Sequence, residues 1–78
     1  MGKARPVHVV PQGDKWAVKR EGSHRASSLH DTRAQAVGQG RFAAQTDKTE
    51  FVTHDLDGEV QDRIDYSNYT TRRMADHR

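Results

Sequence analysis

The stretch His8-Val9-Val10-Pro11-Gln12-Gly13-Asp14-Lys15-Trp16-Ala17-Val18-Lys19 reads as two short strands joined by a turn, and it decides the fold. Val7 to Val10 supplies the β-branched run of a strand. Pro11 has no N–H for a ladder, so it is expected to end that strand or lie on an edge. Gln12-Gly13-Asp14 carries turn chemistry. Lys15 to Arg20 alternates, with Trp16 and Val18 on one face and Lys15, Ala17 and Lys19 on the other. The opening hairpin therefore places the chain's single tryptophan in a small core.

Glu21-Gly22-Ser23 marks a second turn, and the polar run Arg25 to His30 is a candidate third strand leading into a helix. Thr32 followed three residues later by Gln35 fits a capping box, in which each side chain satisfies an open backbone donor of the first turn. Ala34, Ala36, Val37, Ala43 and Ala44 favour the helix that follows. Gly38 and Gly40 each cost about 1 kcal/mol there relative to alanine. A glycine at this place lets the helix approach the sheet, with Trp16 expected to fill the space nearby. After an exit loop at Thr46-Asp47-Lys48, Glu50 to His54 is a strand with Phe51 and Thr53 on one face and Val52 and His54 on the other. Asp57-Gly58 predicts a two-residue hairpin turn, and Glu59 to Ile64 completes the hairpin.

The expectation is an α+β domain, β-β-(β)-α-β-β, with a small antiparallel sheet of four to five strands packed on one α-helix. Its core should include Val7, Val9, Trp16, Val18, Leu29, Ala36, Val37, Ala44, Phe51, Val60 and Ile64. Residues 1–5 form a flexible basic N-terminal arm, 6–66 the single domain, and 67–78 a flexible C-terminal tail without sustained periodicity.

Bulk properties narrow the function classes. A chain of 78 residues, 32% of them hydrophobic, makes one domain of marginal stability with little room for a deep cavity. There is no cysteine, which removes disulfides and thiolate metal sites and suits a reducing cytoplasm. The basic residues before Pro6 are followed by no apolar run of signal-peptide type, and nothing reaches the length of a membrane-spanning helix. The overall charge of +2 is unevenly spread. Residues 1–25 hold six cations and two anions, a net +4, whereas residues 51–78 hold four cations and six anions, a net −2.

In order and spacing, the segments His8-Val9-Val10-Pro11, Trp16-Ala17-Val18-Lys19, Glu21-Gly22, Arg25-Ala26-Ser27-Ser28, Thr32, Gln35-Ala36, Gly40-Arg41, Ala44, His54 and Asp57-Gly58 form one set. It covers most of the chain, from Pro6 to Tyr66. With this set the chain resembles a known family of small bacterial domains of unknown function. The resemblance implies a compact antiparallel sheet on one helix and carries no established chemistry. Gly38 and Phe42 depart from the helix formers or aliphatics expected there, and the tail lacks a proline-rich ending.

Five histidines, His8, His24, His30, His54 and His77, form no compact ligand pair, and zinc needs three or four convergent ligands. His8 and His54 lie on different strands and meet if those strands are neighbours, as a polar sheet cluster or, ranked last, as a small metal-dependent site. Asp55-Leu56-Asp57-Gly58-Glu59 has the wrong spacing for an EF-hand. Ser27, Ser28, His30 and Asp31 suit strand-to-helix capping better than a triad, and Gly38-x-Gly40 lies inside a helix rather than between strand and helix. No enzyme and no cofactor are expected.

Binding remains. Lys15, Lys19, Arg20 and Arg25 could form a basic strip for an anionic partner, joined by Lys3 and Arg5, giving weak, salt-sensitive, non-specific nucleic-acid binding. Few aromatics are left to stack on bases, which disfavours sequence-specific RNA readout. The preferred expectation is a non-enzymatic accessory module that binds a protein partner, or itself as a homodimer, through a sheet face or edge. The basic first hairpin of one copy would then meet the acidic Asp55–Asp65 hairpin of another.

Overall fold

The computed structural model describes residues 4–68. Five strands form one sheet: β1 (Val7–Gln12), β2 (Lys15–Arg20), β3 (Ser28–His30), β4 (Glu50–His54) and β5 (Val60–Asp65). One helix, α1 (Arg33–Asp47), lies between β3 and β4 in the chain. Strand order is β3-β2-β1-β4-β5, and α1 packs on β1, β2, β3 and β4. The fold is α+β in the element order that the sequence predicts. The sheet is mixed rather than wholly antiparallel, because β1 and β4 pair in parallel, Val7 opposite Phe51 and Val9 opposite Thr53. Two reversals leave β3 running in the direction of β1, and the helical crossover returns the chain to the same end of the sheet.

The first hairpin forms as its alternation requires. Gly13-Asp14 joins the strands, with Gln12 opposite Lys15 and Gly13 at φ +65°, a conformation glycine adopts without steric cost. β1 runs through Pro11 to Gln12 against β2, whereas its pairing with β4 stops at Val9, so the proline lies where β1 has β2 alone beside it.

At the start of α1, Thr32 Oγ1 accepts the N–H of Gln35 at 3.1 Å, half of the expected capping box. Lys48 ends the helix in the left-handed region, φ 54°, and the Thr49 N–H reaches the Ala44 carbonyl at 3.0 Å. Ala36, Gly40 and Ala44, one turn apart, are the helix positions buried on the sheet. The close approach occurs at Gly40 and is filled by Phe51, Val9 and Val7, not by Trp16. Trp16 is half-buried at the core margin, with the Arg33 guanidinium 5.7 Å from its ring centroid.

Val7, Val9, Val18, Ala36, Ala44 and Phe51 form the buried cluster, with Trp16, Val37 and Ile64 packed against it. Two expected core residues are outside it: Leu29 is 51% exposed and Val60 52%. Leu29 pairs with Ala17, which points away from the helix. Val60 is carried to the same side by a register shift at Thr53/His54, which places it opposite His54. Ala17 and Val52 are fully buried on this side, Ala17 between Val10 and Leu29 and Val52 between His8 and Arg63 across the sheet. The last turn is also longer than predicted. It spans residues 55–59, because the Asp55 carboxylate accepts the N–H groups of Asp57 and Glu59 at 2.9 and 3.0 Å.

Of the expected N-terminal arm, the Ala4 carbonyl accepts from Thr49 Oγ1 and the Arg5 carbonyl from the Arg20 guanidinium; residues 1–3 lie outside the described part. Of the expected tail, residues 69–78 also lie outside it. Among the described residues no helix is long and apolar enough to cross a membrane.

Candidate functional site

The helix covers one face of the sheet. On the other, the registers align Leu29 on β3, Ala17 on β2 and Val10 on β1; one residue beyond the last β1–β4 pair, Val9 opposite Thr53, His54 on β4 and Val60 on β5 extend this mostly apolar row. The neighbouring row is Lys19, His8, Val52 and Arg63. Period-two alternation puts His8 on this face because Val7 and Val9 face the helix.

The parallel pairing brings His8 and His54 into contact. Their rings lie 5.1 Å apart between centroids, with His8 Nδ1 2.9 Å from His54 Nε2. On its outer side His8 Nε2 is 3.0 Å from Glu21 Oε1, and His54 Nδ1 is 3.0 Å from the Gly58 carbonyl. Glu21 begins the turn after β2, at the end of the sheet where β1 starts. Gly58 lies in the turn after β4, at the opposite end. The four residues thus form a hydrogen-bonded strap running diagonally across the helix-free face. A shallow depression of about 270 Å³ opens beside it, lined by His8, Val10, Lys19, Arg20, Glu21 and His54.

The expected polar cluster of His8 and His54 is therefore in contact. Its outer partners, Glu21 and the Gly58 carbonyl, were not expected from the sequence, where only the alternation of β1 and β4 signals a shared face. Among the described residues no group of three or more His, Asp or Glu side chains converges as a metal cage. Asp55, in the segment whose spacing does not fit a calcium loop, has its carboxylate turned onto its own backbone.

The four basic residues are distributed over different surfaces. Lys15 and Lys19 share the helix-free face, and Lys15 is bound to Asp31 at 2.5 Å. Arg20 lies on the helix side and binds Asp47 at the end of α1. Arg25 sits in the loop between β2 and β3, its backbone held by Ser23 Oγ. The hydrogen bond and then the charge of Lys15 hold the Asp31 carboxyl below its usual value, and Asp31 raises the Lys15 ammonium in the same way. On β5, Arg63 bridges to Glu50 at 2.8 Å.

The edges offer little for strand addition. β3 is three residues long, and β5 carries Asp62, Arg63 and Asp65 within six. Short or charged outer strands of this kind resist pairing with another chain.

Residues 7–66 match a family model described as "Uncharacterized protein conserved in bacteria (DUF2188)". The chain is also similar to the "Uncharacterized protein YdaT" of Bacillus subtilis (strain 168), with 39% identity over 64 residues, 82% of this chain and 41% of the relative. It thus spans about two-fifths of the length of that curated relative. No solved structure matches.

Proposed function

The chain belongs to this family of uncharacterised bacterial proteins, and we propose that it is a non-enzymatic association module that pairs with a second copy through the helix-free sheet face. The observation that carries this reading is the apolar row, whose two ends, Leu29 and Val60, are half-exposed on opposite outer strands. A two-fold axis parallel to β1 would bring Leu29 of one copy over Val60 of the other, with Val10 near the axis. The same rotation sets β2 over β4 and its turn, so Lys15 and Lys19 approach Glu50, Asp55 and Glu59 of the other copy. Charge supports that pairing. The first hairpin, residues 7–20, carries Lys15, Lys19 and Arg20 against Asp14, a net +2. The second, residues 50–65, carries six carboxylates against Arg63, a net −5.

The face measures roughly 24 by 18 Å at ordinary strand and residue spacings, so two copies would bury on the order of 1,000 Å² in total. That is the low end for a specific interface, and the dimer is expected to be weak and concentration-dependent. Light scattering across a dilution series tests it. Wild type should move from monomer to dimer as concentration rises, and Leu29→Lys with Val60→Lys should stay monomeric while keeping the wild-type circular dichroism. A wild-type chain that is monomeric up to millimolar concentration overturns the reading. Amide shifts at Ala17, Leu29 and Val60 on adding a labelled oligonucleotide at low salt, in such a monomer, would assign the face to nucleic acid instead.

A further inference from the structure

We infer that His8 and His54 share a single proton, and that this proton holds together the strap joining the two turns at opposite ends of the sheet. The argument starts from the outer bonds. A carboxylate and a carbonyl are acceptors only, so His8 must donate from Nε2 to Glu21 and His54 from Nδ1 to Gly58. Each neutral ring carries one N–H. Both are then committed outward, and the two nitrogens that face each other at 2.9 Å, His8 Nδ1 and His54 Nε2, would present two lone pairs. That contact is repulsive. One further proton converts it into an N–H···N hydrogen bond of ordinary length.

The pair then holds one proton more than two neutral imidazoles, and Glu21, in direct contact, supplies the opposing charge. The other charged groups around it come from every neighbouring element. Lys19 on β2 lies opposite His8, Arg20 lines the same depression, and Asp55 and Glu59 belong to the turn that His54 holds. Across Val52 stands Arg63, bound to Glu50. Since the depression is open, the shared proton exchanges with solvent.

Two opposite perturbations break the strap. Removing the proton restores the lone-pair repulsion until one ring moves its N–H to the inner nitrogen or turns, and either change releases Glu21 or the Gly58 carbonyl. Adding a second proton sets two N–H groups against each other, with the same result. The complete strap therefore requires one shared proton, neither none nor two. Any effect on self-association rests on the dimer proposed above; the proton itself does not.

Long-range proton–nitrogen correlation spectra of the full nitrogen-15-labelled chain, recorded over a pH series, read every imidazole nitrogen directly. With the shared proton in place His8 Nε2 and His54 Nδ1 should each carry a full proton, while the two facing nitrogens show shifts intermediate between protonated and bare. In His8→Gln the remaining His54 should lose the intermediate shift, with the same for His8 in His54→Gln. Facing nitrogens that are fully protonated or fully bare at every pH would overturn the inference. Light scattering on the same samples separates the two proposals, since a monomer with intermediate shifts at the facing nitrogens removes the dimer and supports the shared proton.

Discussion

Replacing Gly40 with alanine tests how α1 is seated on the sheet. A β-carbon at this position would stand 2.8 Å from Phe51 Cε1 and 3.0 Å from Val9 Cγ2, with Val7 Cγ1 at 3.6 Å. Phe51 and Val9 are buried side chains on central strands, so neither can swing aside into solvent. Overpacking of a core costs about 1–3 kcal/mol, and two simultaneous close contacts place Gly40→Ala in the upper half of that range. Alanine recovers about 1 kcal/mol through its helix propensity. The net loss is about 1–2 kcal/mol, a fall in Tm of roughly 5–15 °C for a domain of this size. Gly38, in the same helix, supplies the control: a β-carbon there meets nothing within 4 Å. Gly38→Ala should therefore gain up to about 1 kcal/mol from the same propensity term. Urea unfolding of both variants, followed by Trp16 fluorescence and circular dichroism, should separate them by about 2–3 kcal/mol, with propensity cancelling in the difference. Phe51→Leu in the Gly40→Ala background should restore part of the coupling. If both glycine variants stabilise equally, α1 does not rest on Phe51 and Val9.

Two further outcomes concern the ends of α1. Lys48→Gly should raise stability by about 1 kcal/mol, because Lys48 occupies the left-handed conformation at φ 54° while its N–H keeps the closing hydrogen bonds; a midpoint unchanged or lowered in urea would contradict that. The Lys15–Asp31 pair predicts a pH dependence with a definite sign. Asp31's carboxyl is lowered, so its contribution is present above the unfolded-state value and is lost as pH falls through the folded one. Lys15 is raised, so its contribution is present below its unfolded-state value and is lost as pH rises through the folded one. Both limbs are small because the pair is exposed. In a carboxyl NMR titration Asp31 should move up toward its ordinary value in Lys15→Met, and identical titrations in the two proteins would refute the assignment.

Local signals were legible wherever a residue's conformation depends on its near neighbours. The alternation of Trp16 and Val18, the Thr32 cap and the glycine of the first turn all report such preferences. Gly40 was only half legible. The spacing Ala36, Gly40, Ala44 marks a small-residue stripe one turn apart, but which glycine touches the sheet depends on where Phe51 stands. Leu29 and Val60 were misassigned to the core because an apolar side chain does not declare its face. Leu29 follows Ala17 through strand pairing, and Val60 follows His54 through the register shift at Thr53/His54. The loop at 55–59 shows a competition settled by a side chain, in which Asp55 satisfies two backbone donors and displaces the shorter Asp57-Gly58 turn. The contact between His8 and His54 spans 46 positions and exists because β4 enters beside β1 in parallel. No local pattern specifies that neighbour.

The proposed dimer and the inferred shared proton constrain each other through charge. His54 stands in the apolar row between Val10 and Val60, so covering the row also removes the histidine pair from water. An isolated buried charge is strongly disfavoured, whereas a paired and hydrogen-bonded one is tolerated. With no shared proton, two neutral rings supply no charge against Glu21. With two extra protons, the pair exceeds Glu21 by one positive charge. With one, Glu21, His8 and His54 together are neutral, and every ring nitrogen has a partner. That state loses least on desolvation, so it is the one in which a second layer can close over the face. In the proposed dimer, Glu21, which lies outside the apolar row, would therefore set the charge state in which the row is buried.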